Sequence, residues 1–308
     1  MRPILAIDLG GTWTRVARFA APGAPPEAVV RVPTEPGFER SLEQIAAAAT
    51  AVAGDDPPDR AGVAAPGPLD PRRGLVLRPP NMVGWPAEAP LGARLARFLG
   101  MPVAVDNDAN VAALGEQRAG AGRGVENLVY FTVSTGIGGG VILGGKLLHG
   151  AHGYAGELGH QVLVADGPPC GCGGRGCLEA LASGSSIARI ARRRIDVGER
   201  SVLAGAGPLT ATEVFAAASQ GDALARSVVE TAMGQLGLGV VNALHLFDPA
   251  LVIVGGGLTN TGDQLFGPVR RVVQTQAMPA FRETPIVRAA LGDDAGLYGA
   301  AYLAWEAA

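Results

Sequence analysis

All three cysteines and one of only four histidines of this chain crowd into a single short stretch. Glu157-Leu158-Gly159-His160 is followed by Cys170-Gly171-Cys172, then by Cys177-Leu178-Glu179. One imidazole and three thiolates are the donor set of a closed tetrahedral zinc site, and four such ligands oblige the chain to converge on one point. The glycines between the thiols let a short loop wrap a single ion. A disulfide with one thiol left over is the alternative, but the odd cysteine count and the lack of secretory features favour metal. The predicted ligands are therefore His160, Cys170, Cys172 and Cys177. Closed zinc of this kind shapes a protein rather than reacting, so the chemistry is sought beside it, first at Glu157 and Glu179.

A chain of 308 residues with 48% hydrophobic and 17% charged residues can bury a sizeable core. A net charge of −3 and a single dense basic run, Arg192-Arg193-Arg194, inside a predicted helix give no reason to expect a nucleic-acid partner. The apolar run before Asp8 is too short for a signal peptide, and the most apolar later stretch is broken by His245, Asp248 and Pro249, so no membrane partner and a cytoplasmic location are expected.

Short β-rich runs alternate with helical ones, which predicts an α/β protein. Strands are expected over Ile4–Asp8, Thr14–Phe19, Ala61–Ala65, Val103–Val105, Leu128–Val133, Gly140–Leu143, Leu251–Val254 and Pro285–Arg288. Phe38, Leu42, Ile45, Ala49 and Val52 recur at helical spacing, as do Leu91, Leu95, Phe98 and Leu99. Thr210 with Glu213 forms a capping box, and Asp222 can cap a long helix that ends at Asp248-Pro249. The runs Ile4–Thr12 and Leu128–Gly136 echo each other, each passing from a strand through a Gly/Thr turn into a second strand. Two related lobes facing a shared cleft are the expectation.

Three glycine-rich turns stand at strand ends. Asp8-Leu9-Gly10-Gly11-Thr12 offers a carboxylate for Mg2+, bare backbone for phosphate oxygens and a hydroxyl. Thr135-Gly136-Ile137-Gly138-Gly139-Gly140 reads as a second loop, and Gly255-Gly256-Gly257 as a third, where an adenosine could lie against backbone. None matches the P-loop lysine motif, but three together point to a nucleoside triphosphate. Asp106-Asn107-Asp108-Ala109-Asn110 opens a helix with more polar side chains than capping needs. A carboxylate at a strand's C-terminal end is well placed to take a proton from an attacking hydroxyl, which makes Asp108 the candidate base, with Asn107 donating and accepting hydrogen bonds to the substrate. Pro66-Gly67-Pro68 and Pro79–Trp85 read as rigid loops, with Asn81 able to bind a sugar hydroxyl. Trp13, Trp305, His149, His152 and His245 are assigned only packing or solvent-facing roles.

These motifs resemble the ROK family, the group of repressors, open reading frames and kinases, along nearly the whole chain. The resemblance rests on the Asp8–Thr12 turn, Asn107-Asp108-Ala109-Asn110, Ser134–Gly140, Glu157–His160 with its cysteines, and Val254–Gly257. It implies an actin-like ATPase (ribonuclease H-like) fold with two lobes around a central cleft. Residues 1–107 and a closing helix at about 292–308 would form the small lobe, and residues 108–291 the large lobe carrying the zinc site. It also implies an ATP-dependent sugar kinase using Mg2+ and structural Zn2+. Asp108 would act on a hexose 6-hydroxyl, and Gly67, Asn81, Asn107, Glu157, His160 and Glu179 would bind the sugar. ATP and Mg2+ would lie on Asp8, Gly10, Gly11, Thr12, Thr135, Gly136, Gly255, Gly256 and Gly257. His160 would serve twice, one ring nitrogen on zinc and the other on sugar. Repressors of the family carry a helix-turn-helix before the first glycine turn, and Asp8 leaves no room for one here. The runs Gly62–Asp70, Asn81–Trp85 and Gly120–Gly124 are similar to the family's bacterial glucokinases, so glucose is the expected hexose. N-acetylmannosamine or N-acetylglucosamine kinase activity is the alternative, and a non-catalytic sugar-responsive regulator a more remote one. Val83 and Asp106 depart from residues common in those kinases, proline and glutamate, and neither departure is expected to touch the chemistry. A homodimer or higher homo-oligomer is expected from the family.

Overall fold

The apolar runs become the inner strands of two five-stranded sheets in a computed structural model that describes residues 2–79 and 81–307. Pro80, within the Pro79–Trp85 loop, lies outside the described residues, as do Met1 and Ala308. In chain order the first half gives β1 (Ile4–Leu9), β2 (Trp13–Phe19), β3 (Ala28–Pro33), α1 (Phe38–Val52), β4 (Ala61–Ala65), β5 (Leu69–Asp70), β6 (Leu75–Leu77), β7 (Glu88–Ala89), α2 (Leu91–Leu99), β8 (Val103–Asn107) and α3 (Asp108–Ala119). Then follow β9 (Leu128–Val133), β10 (Ile137–Leu143), β11 (Lys146–Leu147), α4 (Leu178–Ala182), α5 (Gly184–Asp196), α6 (Ala211–Ser219), α7 (Ala223–Phe247), β12 (Leu251–Gly255), α8 (Asp263–Gln276), β13 (Ile286–Arg288) and α9 (Ala295–Glu306).

The first sheet runs β3-β2-β1-β4-β8 and the second β11-β10-β9-β12-β13. Each is a hairpin continued by parallel strands, in the same relative order, so the echo between the two glycine turns is a duplication of topology. Buried on both faces, β1, β4 and β12 read as nearly unbroken apolar runs, as parallel strands covered by helices do. The apolar spacing of α1 faces a core of Leu5, Ile7, Val16, Val63 and Val105. The capping box of Thr210 and Glu213 forms at α6, and Asp222 caps α7 by accepting from Ala225 N–H at 2.8 Å.

Two elements depart from expectation. β3 was not anticipated, because its alternating half-exposed pattern belongs to an edge strand whose partner β2 supplies the pairing. The second glycine loop is shorter than predicted: only Ser134 to Gly136 turn, and Ile137 onward is β10. Gly140 there answers to packing, since a Cβ on it would lie 2.7 Å from the Ala113 methyl of α3. Trp13 joins β2 opposite Pro33, with the Arg31 guanidinium 4.2 Å above its ring.

Contacts group the chain into two compact units, 1–126 with 140–156 and 290–308, and 127–139 with 157–289. The first unit extends beyond Asn107 because α3 packs along α9, which also covers β1 and β4. That approach is close enough that a Cβ on Gly299 would stand 1.7 Å from Val111 O. In the second unit α7 is the central helix, packed by α4, α5, α6 and α8. No described helix is long and apolar enough to cross a membrane.

Candidate active site and metal centre

In the first unit Asp8 is the penultimate residue of β1, and the hairpin turn places Arg15 of β2 directly opposite it. Arg15 donates from Nη2 and Nε to Asp8 Oδ2 at 2.5 and 3.1 Å, and from Nη1 to Asp294 Oδ1 at 3.0 Å. This anchor was legible in the hairpin register once the turn at Gly10–Thr12 was recognised, but the sequence reading passed it over. Gly10 N–H closes the turn on Trp13 O, while Gly11 and Thr12 are exposed. The Asn81 loop lies against this turn: a Cβ on Gly11 would be 3.0 Å from Asn81 O.

Strand β8 delivers Asp106 and Asn107, and α3 starts at Asp108. Asn107 is the cap, its Oδ1 accepting from Ala109 N–H at 3.0 Å and Asn110 N–H at 3.4 Å. The Asn107 carbonyl is thus engaged by the helix, and its Nδ2 borders Gly67, where a Cβ would stand 2.8 Å away. Asp108 sits exposed on the first turn, with Oδ1 accepting from Ala109 N–H at 2.8 Å. Asp106 is buried beneath the turn and paired to His149, two residues the sequence reading had placed outside the site.

In the second unit a single helical turn, Leu158–His160, presents Glu157 and His160. Cys177 precedes α4 and Glu179 occupies its first turn. Short bridges between Val162 and Cys177 and between Pro169 and Arg175 fold the intervening loop back on itself. The four donor atoms of His160, Cys170, Cys172 and Cys177 all lie within 4.8 Å of one another. Cys172 Sγ and Cys177 Sγ are 3.7 Å apart, and Cys170 Sγ is 3.5 Å from His160 Nδ1. Tetrahedral bonds of about 2.3 Å to sulfur and 2.0–2.1 Å to nitrogen imply edges of about 3.8 and 3.6 Å, so the residues fit zinc and not a disulfide. Without metal, burial pushes the Cys177 thiol up to about 12 and raises Cys170, while the Gly174 N–H lowers Cys172. A bound dication would reverse the first two.

His160 turns Nδ1 to the thiols and Nε2 to Glu157, whose Oε2 is 3.9 Å away. Partial burial raises the Glu157 carboxyl, with His160 opposing and Glu179 reinforcing. Glu179 Oε2 accepts from Ile137 N–H at 3.0 Å, tying α4 to the glycine turn, and a Cβ on Gly136 would lie 2.6 Å from that oxygen. Thr135 is exposed, and its carbonyl accepts from Ser185 Oγ at 2.8 Å. Gly256, at φ 85°, turns the chain beside Val133, and its carbonyl accepts from the Thr259 hydroxyl at 2.8 Å. Gln161, also missed from sequence, docks the cysteine loop on α7 by donating to Gly239 O at 3.4 Å and accepting from Asn242 Nδ2 at 2.9 Å.

A repeated sheet of this order, each copy opening with a hairpin whose turn is rich in glycine, defines an actin-like ATPase fold. The ROK family model matches residues 4–307, and the chain belongs to that family. It is 38% identical over 309 residues to a glucokinase of Thermotoga maritima, covering 98% of this chain and 97% of the relative. A ROK hexokinase from Thermus thermophilus superposes with a TM-score of 0.85 at 39% identity, over 99% of this chain and 98% of that one. A ROK family glucokinase from Streptomyces griseus, in complex with glucose and AMPPNP, gives a TM-score of 0.83 at 34% identity, over 99% of both chains.

Proposed function

We propose that this protein is an ATP-dependent hexose kinase that phosphorylates the 6-hydroxyl of glucose. The observation that carries the reading is Asp108: an exposed carboxylate at the start of α3, on a turn held by the Asn107 cap, in a chain similar end to end to glucokinases. Asp108 accepts the proton of the sugar hydroxyl as its oxygen attacks the γ-phosphorus and the bond to ADP breaks. Most of the acceleration then comes from positioning and charge neutralisation. Gly67, Asn81, Asn107, Glu157, His160 and Glu179 bind sugar hydroxyls. Gly10, Gly11, Thr12, Thr135, Gly136 and Gly255–Gly257 hold the nucleotide. Mg2+ would sit on Asp8, directly or through water, and would supply charge neutralisation at the phosphates. Zn2+ would sit on His160, Cys170, Cys172 and Cys177 and fix the His160 tautomer, leaving Nε2 for sugar. Reduced thiol ligands and an ATP substrate suit a cytoplasmic location, and assembly as a homo-oligomer follows the family expectation.

A coupled ADP-release assay against glucose, mannose, fructose, N-acetylglucosamine and N-acetylmannosamine tests the reading. Turnover should be highest with glucose, and Asp108→Asn should abolish it while calorimetry still detects glucose binding. Preference for an N-acetyl sugar would move the substrate. No turnover on any hexose, with zinc and nucleotide bound, would replace the kinase with a sugar-responsive regulator.

A further inference from the structure

Asp106 is 1% exposed, yet it carries a carboxylate. A charge so deeply placed needs donors or a cation around it, or it becomes costly to keep. Its Oδ1 accepts from Asn107 N–H at 2.7 Å and from Asn110 Nδ2 at 3.1 Å, and its Oδ2 accepts from His149 Nε2 at 2.5 Å. The first two donors are the two ends of the turn that carries Asp108. Asn107 caps α3 and Asn110 completes its first turn, so Asp106 braces the turn from behind at both points. His149, when protonated, sets a positive charge against this buried carboxylate.

His149 belongs to the segment 140–156 that folds into the first unit, and its side chain is 33% exposed. It forms part of the wall of a cavity of about 370 Å3, through which it can exchange protons with solvent. The charged groups facing it there are Asp106 from β8 and Arg72 and Arg73 from the turn between β5 and β6. Among the described residues, α2, α9 and the residue after α9 contribute only Gly92, Ala93, Leu303 and Ala307. The hydrogen bond to Asp106 raises the imidazole above its ordinary range, against burial and Arg72, which both lower it.

We propose that His149 is a positioning residue for phosphoryl transfer: its imidazolium, held on Asp106 behind the Asn107–Asn110 turn, keeps that turn in the geometry that presents Asp108. The role rests on the kinase reading above and adds a residue to it. Deprotonation of His149 removes that charge from behind the turn, the turn relaxes, and the rate falls as pH rises through the imidazole's value in the folded protein. An ion pair that merely ties the 140–156 segment to β8 would affect stability without touching the pH profile of kcat.

The test compares wild type, His149→Phe and His149→Gln, all checked for zinc content and folding, in kcat and KM for glucose from pH 6 to pH 9. His149→Phe removes the donor and should lower kcat roughly tenfold to a hundredfold, the scale of a displaced reacting group, with glucose KM little changed. His149→Gln can donate an amide N–H to Asp106 at every pH. Carrying no charge, it should run at every pH near the rate that wild type reaches above the imidazole's titration, above His149→Phe, and lose the alkaline limb seen in wild type. Nitrogen-detected NMR of the wild-type imidazole should place its titration on that limb, and Asp106→Asn should move the titration to lower pH. A folded His149→Phe protein with wild-type kcat overturns the proposal. So does an alkaline limb that persists in His149→Gln, or a loss confined to KM. A wild-type protein inactive on every hexose overturns the kinase reading instead, and the wild-type rate distinguishes the two failures.

Discussion

Glu116 offers a clean measure of what holds the first unit together. It is 0% exposed in α3 and takes three backbone donors on one carboxylate. Oε2 accepts from Ala121 N–H at 2.8 Å and Ala290 N–H at 3.0 Å, and Oε1 accepts from Leu291 N–H at 2.7 Å. These bonds clasp the end of α3 to the chain entering α9. Bonds to a charged acceptor are worth about 1.5–3 kcal/mol each, so the gross loss in Glu116→Ala is about 4.5–9 kcal/mol. Two effects offset it. Releasing a buried charge recovers several kcal/mol, and the donors of exposed Ala290 and half-buried Leu291 can turn to water. Ala121 is half-buried as well, and an N–H stranded there costs about 1–3 kcal/mol. The net expectation is a destabilisation of about 2–4 kcal/mol, which lowers Tm by roughly 4–16 °C. Calorimetry measures the shift, and hydrogen exchange should show the Ala121, Ala290 and Leu291 amides losing protection while the amides of β1 and β4 keep theirs relative to global unfolding. Glu116→Gln keeps the volume but turns one acceptor into a donor facing an N–H, so it should move both readouts in the same direction by less. A Tm within about 1 °C of wild type, with those three amides still protected, would refute the accounting.

Other expectations follow from the same geometry. Cys177→Ser should drop bound zinc below one per chain and lower Tm in the same preparation, since structural metal contributes folding free energy; full zinc by atomic absorption would contradict the ligand assignment. Zinc release on acidification should be visible with a metallochromic dye, because protons compete for the thiolates. Gly136→Ala inserts a methyl 2.6 Å from Glu179 Oε2 and should displace that carboxylate from Ile137 N–H. Loss of a charged hydrogen bond of about 1.5–3 kcal/mol translates to a rise in glucose KM of roughly tenfold to a hundredfold, and an unchanged KM would remove Glu179 from the sugar site. The raised His149 value sets a sign for stability as well: its contribution is complete below the unfolded imidazole's value near 6.5 and is lost as pH rises through the higher folded value. Urea midpoints taken upward from pH 6 should therefore fall in wild type and fall less in His149→Gln.

Much of this protein is local in its sequence. The apolar spacing of Phe38 to Val52 defines α1, the Thr210–Glu213 box starts α6, and Asp222 starts α7, since each rests on neighbours a turn or less away. The Cys/His cluster that fits zinc is equally local, because a loop with three thiols and small residues between them can close on one ion without help from the rest of the chain. Even the duplicated sheets announce themselves in the two matching runs into a Gly/Thr turn. Tertiary structure decided the rest. β3 became a strand because β2 offered it an edge, and Ile137–Gly140 became strand rather than loop as part of β10. Asp106 and His149 stand 43 positions apart, and Glu116 meets Leu291 across 175, so no periodicity or spacing could join them. A buried charge is recognised only when the fold shows what surrounds it. The sequence could therefore name candidate groups for ligands, whereas the residues packed behind those groups emerged from the fold alone.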